Sequence, residues 1–169
     1  MKRYVYLIFL LQFLLINSAH AYCDFETMRI GQSFKAIPDK LKSGFLLGET
    51  IDQPFELHNR SEEICSDEEF DGILLRHEFL AGELQRIHVE DEIGVANHLS
   101  NLKYYYGEPT ELSEDTTTTT GIRHYYWKLN FKEIFLITRF TETTSSHQIE
   151  FLSNRYDQIK NAGRDLTDE

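Results

Sequence analysis

Residues 73–89 have the sequence ILLRHEFLAGELQRIHV, which is typical of two strands joined by a tight turn. Branched and aromatic residues are concentrated in both halves, Ile73–Leu80 and Leu84–Val89, and Gly82 lies in the short segment between them. In the second half the apolar residues Leu84, Ile87 and Val89 fall three and then two positions apart. This spacing breaks strict alternation and indicates a β-bulge. The stretch therefore predicts an antiparallel hairpin with an irregular second strand.

A helix is predicted after this hairpin, over about 91–106. Gly107 suits the position just past the end of a helix, and Pro109 prevents the helix from continuing. Apolar residues in this segment recur at intervals of four, three and four, which places them on one side of a helix: Val95, Leu99, Leu102 and Tyr106.

Further strands are predicted before the hairpin and after the helix. Residues 44–66 give no clear pattern, because Gly44, Gly48 and Pro54 interrupt them. The order of elements predicts an α+β domain, an antiparallel sheet of about five or six strands with one main helix packed on one face. The additional strands are rich in Tyr, Phe, Ile and Thr or flank a Gly turn: Thr27–Ile30, Ile122–Leu129, Phe131–Phe140 and His147–Leu152.

The N-terminus has the pattern of a cleaved export signal. Two positive residues are followed by the apolar run Tyr4–Ile16 and by the small-x-small triplet Ala19-His20-Ala21, where cleavage is expected. The alternative is an uncleaved anchor, but a helix of that length spans only ~20 Å of the ~30 Å hydrocarbon core. We therefore expect a signal peptide over 1–21, a periplasmic or extracellular protein, one domain over 22–159 and a loose polar tail over 160–169.

The two cysteines, Cys23 and Cys65, both follow the predicted cleavage site. In an oxidising compartment an even pair indicates a disulfide bond. The alternative, a reactive thiol, lacks a C-x-x-C motif. The bond would hold down an N-terminus that otherwise frays.

The chain is acidic, with 28 Asp and Glu against 17 Lys and Arg and a formal charge of −11. Such a surface repels phosphate backbones, so nucleic acid is not expected as a partner. No further apolar run approaches membrane length, so no membrane span is expected after the signal peptide. We expect the partner to be another envelope or secreted protein, and we expect no cofactor.

One acidic segment, residues 67–78, has the spacing of a calcium-binding loop. With Asp67 as position 1, oxygen ligands fall at positions 1, 3, 5 and 12, Gly72 stands at position 6, and Glu78 closes the set. Position 3 is Glu69 rather than Asp or Asn, and the preceding residues are polar. The alternative is a solvated loop that leads into the strand.

The histidines show no zinc-protease spacing, and no nucleophile elbow, P-loop or dinucleotide-binding turn occurs. His77 and His88 could be neighbours across the hairpin, although the bulge leaves undecided on which face of the sheet each of them lies. No catalytic residue is therefore assigned, and an uncharacterised hydrolase-type enzyme stays as an alternative. The histidines after the signal peptide are His58, His77, His88, His98, His124 and His147.

Two aromatic runs, Tyr104-Tyr105-Tyr106 and Tyr125-Tyr126-Trp127, must place their members on different sides of a helix or strand. We expect part of them to fill the core between sheet and helix: Tyr106, Tyr125 and Trp127. The others predict an exposed aromatic patch of the kind that marks a contact surface: Tyr104, Tyr105 and Tyr126.

Three segments resemble BamE-like domains and other small exported proteins of the bacterial envelope: Ile30-Gly31-Gln32-Ser33, Phe79–Ile87, and Tyr106-Gly107-Glu108-Pro109-Thr110 followed by Trp127. Gln32 replaces the Met that this family prefers, and the chain has no lipid-anchor cysteine. The resemblance implies a helix-plus-sheet binding module without catalytic residues. The leading hypothesis is thus a non-catalytic exported binding module, with a calcium-binding domain as an alternative.

Overall fold

A computed structural model describes residues 23–42, 45–47, 54–65, 68–92, 94, 96–117 and 119–165. The predicted signal peptide over 1–21 and the first residue of the acidic loop, Asp67, lie outside these residues. Within the described part, no helix is long and apolar enough to cross a membrane.

The fold is built on a single sheet in which every strand pairs antiparallel to its neighbours. Its spatial order is β1-β2-β3-β4-β8-β7-β6-β5, so two four-stranded meanders join through their last strands. The strands are β1 Phe45–Leu47, β2 Phe55–Arg60, β3 Leu74–Leu80, β4 Glu83–Asp91, β5 Glu111–Thr116, β6 Gly121–Lys128, β7 Lys132–Phe140 and β8 Ser145–Ser153.

The helices are short. They are α1 Asp39–Lys42, α2 His98–Tyr106 and α3 Tyr156–Asp165, with 3-10 turns at Phe34–Ala36, Ser61–Glu63 and Glu68–Phe70. The Asn97 side chain accepts a hydrogen bond from the Ser100 N–H and caps α2 at its start. Gly107, at φ 77°, ends α2, as its position in the sequence predicted.

One face of the sheet, which we call the core face, packs against α2 and the N-terminal segment 23–42. Strand register places one buried residue from each of six neighbouring strands in a row across this face: Leu57, His77, Ile87, Phe151, Ile134 and Trp127. Above this row, Leu102 of α2 and Phe25 and Met28 of the N-terminal segment are also buried. The alternation of strand side chains leaves the opposite face, which we call the open face, to the other half of the residues.

The disulfide between Cys23 and Cys65 is present as predicted, with the two Cα atoms 5.3 Å apart. It ties the N-terminal segment to the connection after β2. The buried side chain of Asn101 strengthens this attachment, because it accepts from the Cys23 N–H at 3.0 Å and donates to the Cys23 carbonyl at 2.9 Å. The N-terminal segment is thereby held against α2.

The predicted hairpin and its bulge are confirmed, since the register shifts where Glu78 pairs with Arg86 and Phe79 with Leu84. The predicted helix start at residue 91 is wrong, because β4 runs through Asp91 and α2 begins only at His98.

The expected five or six strands are also too few, because β1, β2 and β5 were not predicted. In place of the expected single main helix, the described residues form three short ones. The strand predicted over Thr27–Ile30 is absent, and this stretch forms turns and bends whose side chains still contribute to the core.

The stretch from Lys160 was predicted to be a loose tail, but its first residues belong to α3. The helix is held by Tyr156, which is buried and donates a hydrogen bond to Glu78 at 2.7 Å. Lys160 stands one turn later and donates to the Tyr156 hydroxyl at 2.7 Å.

Candidate binding groove on the open face

The half of the open face made by β5 to β8 is apolar, and none of the described helices covers it. An open groove of about 690 Å³ lies there. The apolar side chains that line it on the open face are Tyr126 of β6, Phe135 and Ile137 of β7 and Leu152 of β8, all of them partly exposed. The lining also includes Leu112, Tyr125 and Leu136. The rings of Tyr126 and Phe135 lie 4.9 Å apart and form the centre of the lining.

The sequence of β7 explains why apolar side chains reach this face. Residues Ile134–Ile137 form an unbroken apolar run, and alternate residues of a strand point to opposite faces. Ile134 and Leu136 are fully buried in the core. Phe135 and Ile137 must therefore lie on the open face, where a polar residue is usual for a sheet with one solvated side.

The titratable residues that line the groove are two carboxylates, Glu111 and Glu150, and one histidine, His124, and no Lys or Arg is found in the lining among the described residues. Glu150 accepts hydrogen bonds from His88 at 3.2 Å and Arg86 at 2.7 Å. The bond from His88, and then the bond and charge of Arg86, outweigh the effect of burial and lower the pKa of Glu150 to about 2. Glu150 therefore stays ionised throughout the ordinary pH range.

The other half of the open face, on β2 to β4, carries charged side chains of both signs, which pair with one another. Arg76 pairs with Glu90, and Arg86 lies 3.6 Å from Glu78 as well as bonding Glu150. Helix α3 covers this corner through its contacts with Glu78. The apolar half is thus the part of the open face that α3 leaves uncovered.

The predicted aromatic patch is divided between the two sides of the sheet. Tyr104 and Tyr105 lie on α2, beside the core face, with 63% and 40% of their surface exposed and their rings 5.0 Å apart. Tyr126 lies on the open face, in the groove. The three residues therefore do not form one continuous surface.

The aromatic residues predicted for the core are found there. Trp127 is buried, and its indole N–H donates to the Gly107 carbonyl at 2.9 Å, which fixes the end of α2 to β6. Tyr106 and Tyr125 pack against the same core.

The acidic segment predicted as an alternative calcium loop is divided by the fold. Glu78 lies within β3 on the open face, where Tyr156 of α3 donates to its carboxylate. Glu69 accepts from the Asn97 N–H at 2.9 Å, and Glu62 accepts from the Gly72 N–H at 3.1 Å. Across the described ranges, no three His, Cys, Asp or Glu side chains are grouped as a metal site requires.

The two hairpin histidines lie on opposite faces, His77 in the core and His88 on the open face. A different histidine cluster was missed. The His98 Nε2 atom is hydrogen-bonded to the Asp91 carboxylate at 2.8 Å, and the centres of the His98 and His147 rings are 5.1 Å apart. The register of β4 and β8, which pairs Asp91 with His147, brings the three residues together. Asp91 and His98 are almost fully buried, although Asp91 also contributes to the lining of a cleft of about 280 Å³ between β3 and β4.

Comparisons of the chain with protein-family models, with curated proteins and with solved structures find no match.

Proposed function

We propose that this protein is a non-catalytic exported binding module that holds an extended, cationic and partly apolar segment of another envelope or secreted protein in the groove on the open face. The observation that carries the proposal is the uncovered apolar lining of Tyr126, Phe135, Ile137 and Leu152, bordered by carboxylates. Export is supported by the leader pattern of the sequence and by the disulfide, a bond that persists in oxidising compartments.

The charge along β5, which forms the outer border of the groove, favours a cationic occupant. Alternation places Glu111, Ser113 and Asp115 of β5 on the side of the strand that faces the groove, and all three are exposed. The whole chain carries a formal charge of −11, which adds a long-range attraction for positive partners. Apolar contact with the aromatic lining would supply the affinity, and the carboxylates would set the preference for Lys or Arg.

An extended segment fits this groove better than a folded helix. The lining residues lie on four adjacent antiparallel strands, and β5 ends the sheet with its outer backbone groups unpaired in the described structure. An added strand could use those groups while its alternate side chains enter the groove. The β5 edge is thus the natural entry side.

The test uses two fluorescein-labelled decapeptides, one alternating Leu and Lys and one alternating Leu and Glu. Fluorescence anisotropy should show binding of the Leu-Lys peptide and none of the Leu-Glu peptide at equal concentration. Phe135→Ser should weaken binding by at least about tenfold, because it removes the centre of the apolar lining.

Tyr104→Ser is the matched control, since it removes an exposed aromatic ring on the other side of the sheet. It should leave the affinity unchanged. Equal binding of both peptides, or a loss of binding in Tyr104→Ser but not in Phe135→Ser, would contradict the proposal. Circular dichroism and a thermal melt establish that each variant is folded.

A further inference from the structure

Three titratable side chains meet where the first turn of α2 contacts the sheet, and we call them the histidine cluster: Asp91 of β4, His98 of α2 and His147 of β8. The Asp91 carboxylate uses both of its oxygens, one bonded to His98 at 2.8 Å and the other to the Gly94 N–H at 2.8 Å. None of the His98 side chain and only 4% of the Asp91 side chain is exposed. The cluster thus fixes the start of α2 to the last residue of β4 in an almost completely buried position.

The cluster is not fully satisfied when it is closed. The Nδ1 atom of His98 is buried and has no hydrogen-bond partner among the residues that the structure describes. The His98 ring also faces two aromatic rings, Phe25 of the N-terminal segment and Phe70, with ring centres 5.8 and 5.9 Å away. Water that entered on opening would bond the Nδ1 atom, which offsets part of the cost of opening.

The His147 ring bonds neutral groups. Its Nδ1 atom lies 3.0 Å from the Thr138 hydroxyl of β7, and the ring also bonds the Gly94 backbone. The charges that act on it are those of His98, whose ring centre is 5.1 Å away, and Asp91. Other charged groups on the surrounding elements have partners of their own or are exposed, among them Glu26 with Lys132, Glu69 with the Asn97 N–H, Glu90 with Arg76, Arg123 with Glu114, and the exposed Asp71 and Glu92.

Acid favours an opened cluster over a closed one. When both rings carry a proton, two positive charges share the single carboxylate of Asp91. Burial, and then the charge of His98, outweigh the opposite effects of Asp91 and Gly94 and lower the pKa of His147 below its ordinary 6.5. An opened cluster, in which water surrounds His147, therefore binds more protons than the closed one, and opening becomes easier as the pH falls below 6.5.

We propose that the histidine cluster is an acid-sensitive latch that holds the first turn of α2 on the sheet at neutral pH and opens increasingly in acid, while the sheet stays folded. The opening is local, because the end of α2 has its own attachments, the buried Leu102 and the bond from Trp127 to the Gly107 carbonyl. It uncovers the side of Phe25 and Phe70 that His98 covers, and so presents an apolar surface in acid. This inference does not depend on the function proposed for the open-face groove.

Amide hydrogen exchange followed by NMR measures this opening residue by residue. The amides to follow are Gly94, which bonds Asp91, and Ser100 and Asn101, which bond Asn97 at the start of α2. Their protection factors, which correct for the intrinsic effect of pH on exchange, should fall at least about threefold from pH 7 to pH 5, because opening takes up a proton.

His147→Asn keeps a polar side chain next to Thr138 and removes the titrating ring, so it should remove most of this fall. His124→Asn is the matched control, since His124 is exposed on the open face, and it should behave like the wild type. The acid sensitivity of the whole fold that His77 causes is common to all three proteins, so it cannot produce a difference between them.

A pH titration of the His147 ring signal in the wild type keeps the test decisive if His147→Asn does not fold. The fall in protection should begin near pH 6.5 and level off at the pH where the His147 ring itself takes up its proton. Protection factors that do not change between pH 7 and pH 5 overturn the proposal. A fall of equal size in His147→Asn, or a His147 ring that titrates at pH 6.5 or above, also overturns it.

Discussion

Lys132 places a positive charge on the core face of the sheet, where only 5% of its surface is exposed. Its ammonium group pairs with the carboxylate of Glu26 and lies 4.5 Å from the centre of the Tyr106 ring. The Tyr106 hydroxyl donates to the same carboxylate at 2.5 Å. The carboxylate and the ring together compensate for the water that Lys132 loses. This cluster joins the N-terminal segment, α2 and β7.

Glu26→Gln should destabilise the protein by ~3–5 kcal/mol, because it leaves the buried Lys132 charge without a counter-charge. Urea denaturation measures the change in the free energy of unfolding. Glu108→Gln is the matched control, since Glu108 pairs with Lys103 at 2.7 Å on the surface and such pairs contribute ~0–1 kcal/mol. Equal losses in the two variants would show that the Lys132 pair is not needed.

His77 makes the stability of the fold sensitive to pH. Burial disfavours the charged ring and lowers its pKa from the ordinary 6.5 to about 4 in the folded protein. The unfolded chain therefore binds more protons than the folded one between pH 6.5 and 4. Stability is full above pH 6.5 and falls as the pH is lowered to about 4.

His77→Leu should remove this loss, which amounts to ~3 kcal/mol between pH 7 and pH 4. Urea denaturation at a series of pH values measures it for both proteins. The wild type should lose more stability than His77→Leu over that interval. Parallel pH profiles for the two proteins would rule out His77 as the cause.

Among the elements, most strands with a buried side were predictable, with β2 as the exception, and β5, which has no buried side, was not. The hairpin and strands β6 to β8 follow from apolar residues that must find a core, and the end of α2 follows from Gly107 and Pro109. Strand β5, Glu111–Thr116, has every residue exposed, so it carries no inward-facing pattern. Strand β2 alternates well, but it lies in residues 44–66, where Gly44, Gly48 and Pro54 obscured it.

The disulfide stabilises the attachment of the N-terminal segment to the rest of the fold. Closing a loop across 42 residues of sequence separation contributes ~4 kcal/mol in the chain-entropy model. The double variant Cys23→Ser/Cys65→Ser should therefore melt at least about 5 °C lower than the oxidised wild type. Reduced wild-type protein should have the same melting temperature as the double variant. If oxidised and reduced proteins melted together, the bond would contribute nothing to stability.

For the whole molecule, the groove was only partly predictable. Tyr126 was expected at a contact surface from its place in an aromatic run. The partners that make the groove, Phe135, Ile137 and Leu152, were read only as strand residues. The unbroken apolar run of β7 was the available signal, but assigning it to two faces requires knowing that no element covers the second face.

The net charge gives a prediction at the same scale. Binding of the Leu-Lys peptide should weaken several-fold when NaCl is raised from 0.05 to 0.5 M, because salt screens the attraction between the acidic protein and a cationic partner. Fluorescence anisotropy across this series measures it. Binding that is independent of salt would show that charge does not select the partner.

The most direct test of the proposed groove is to map the Leu-Lys peptide on ¹⁵N-labelled protein by NMR. The proposal predicts that the largest shifts fall on backbone amides of β5 to β8, with Tyr126, Phe135 and Ile137 among them. Shifts centred on α2 around Tyr104 and Tyr105, or no shift at millimolar peptide, would contradict the assignment of the open face as the binding surface.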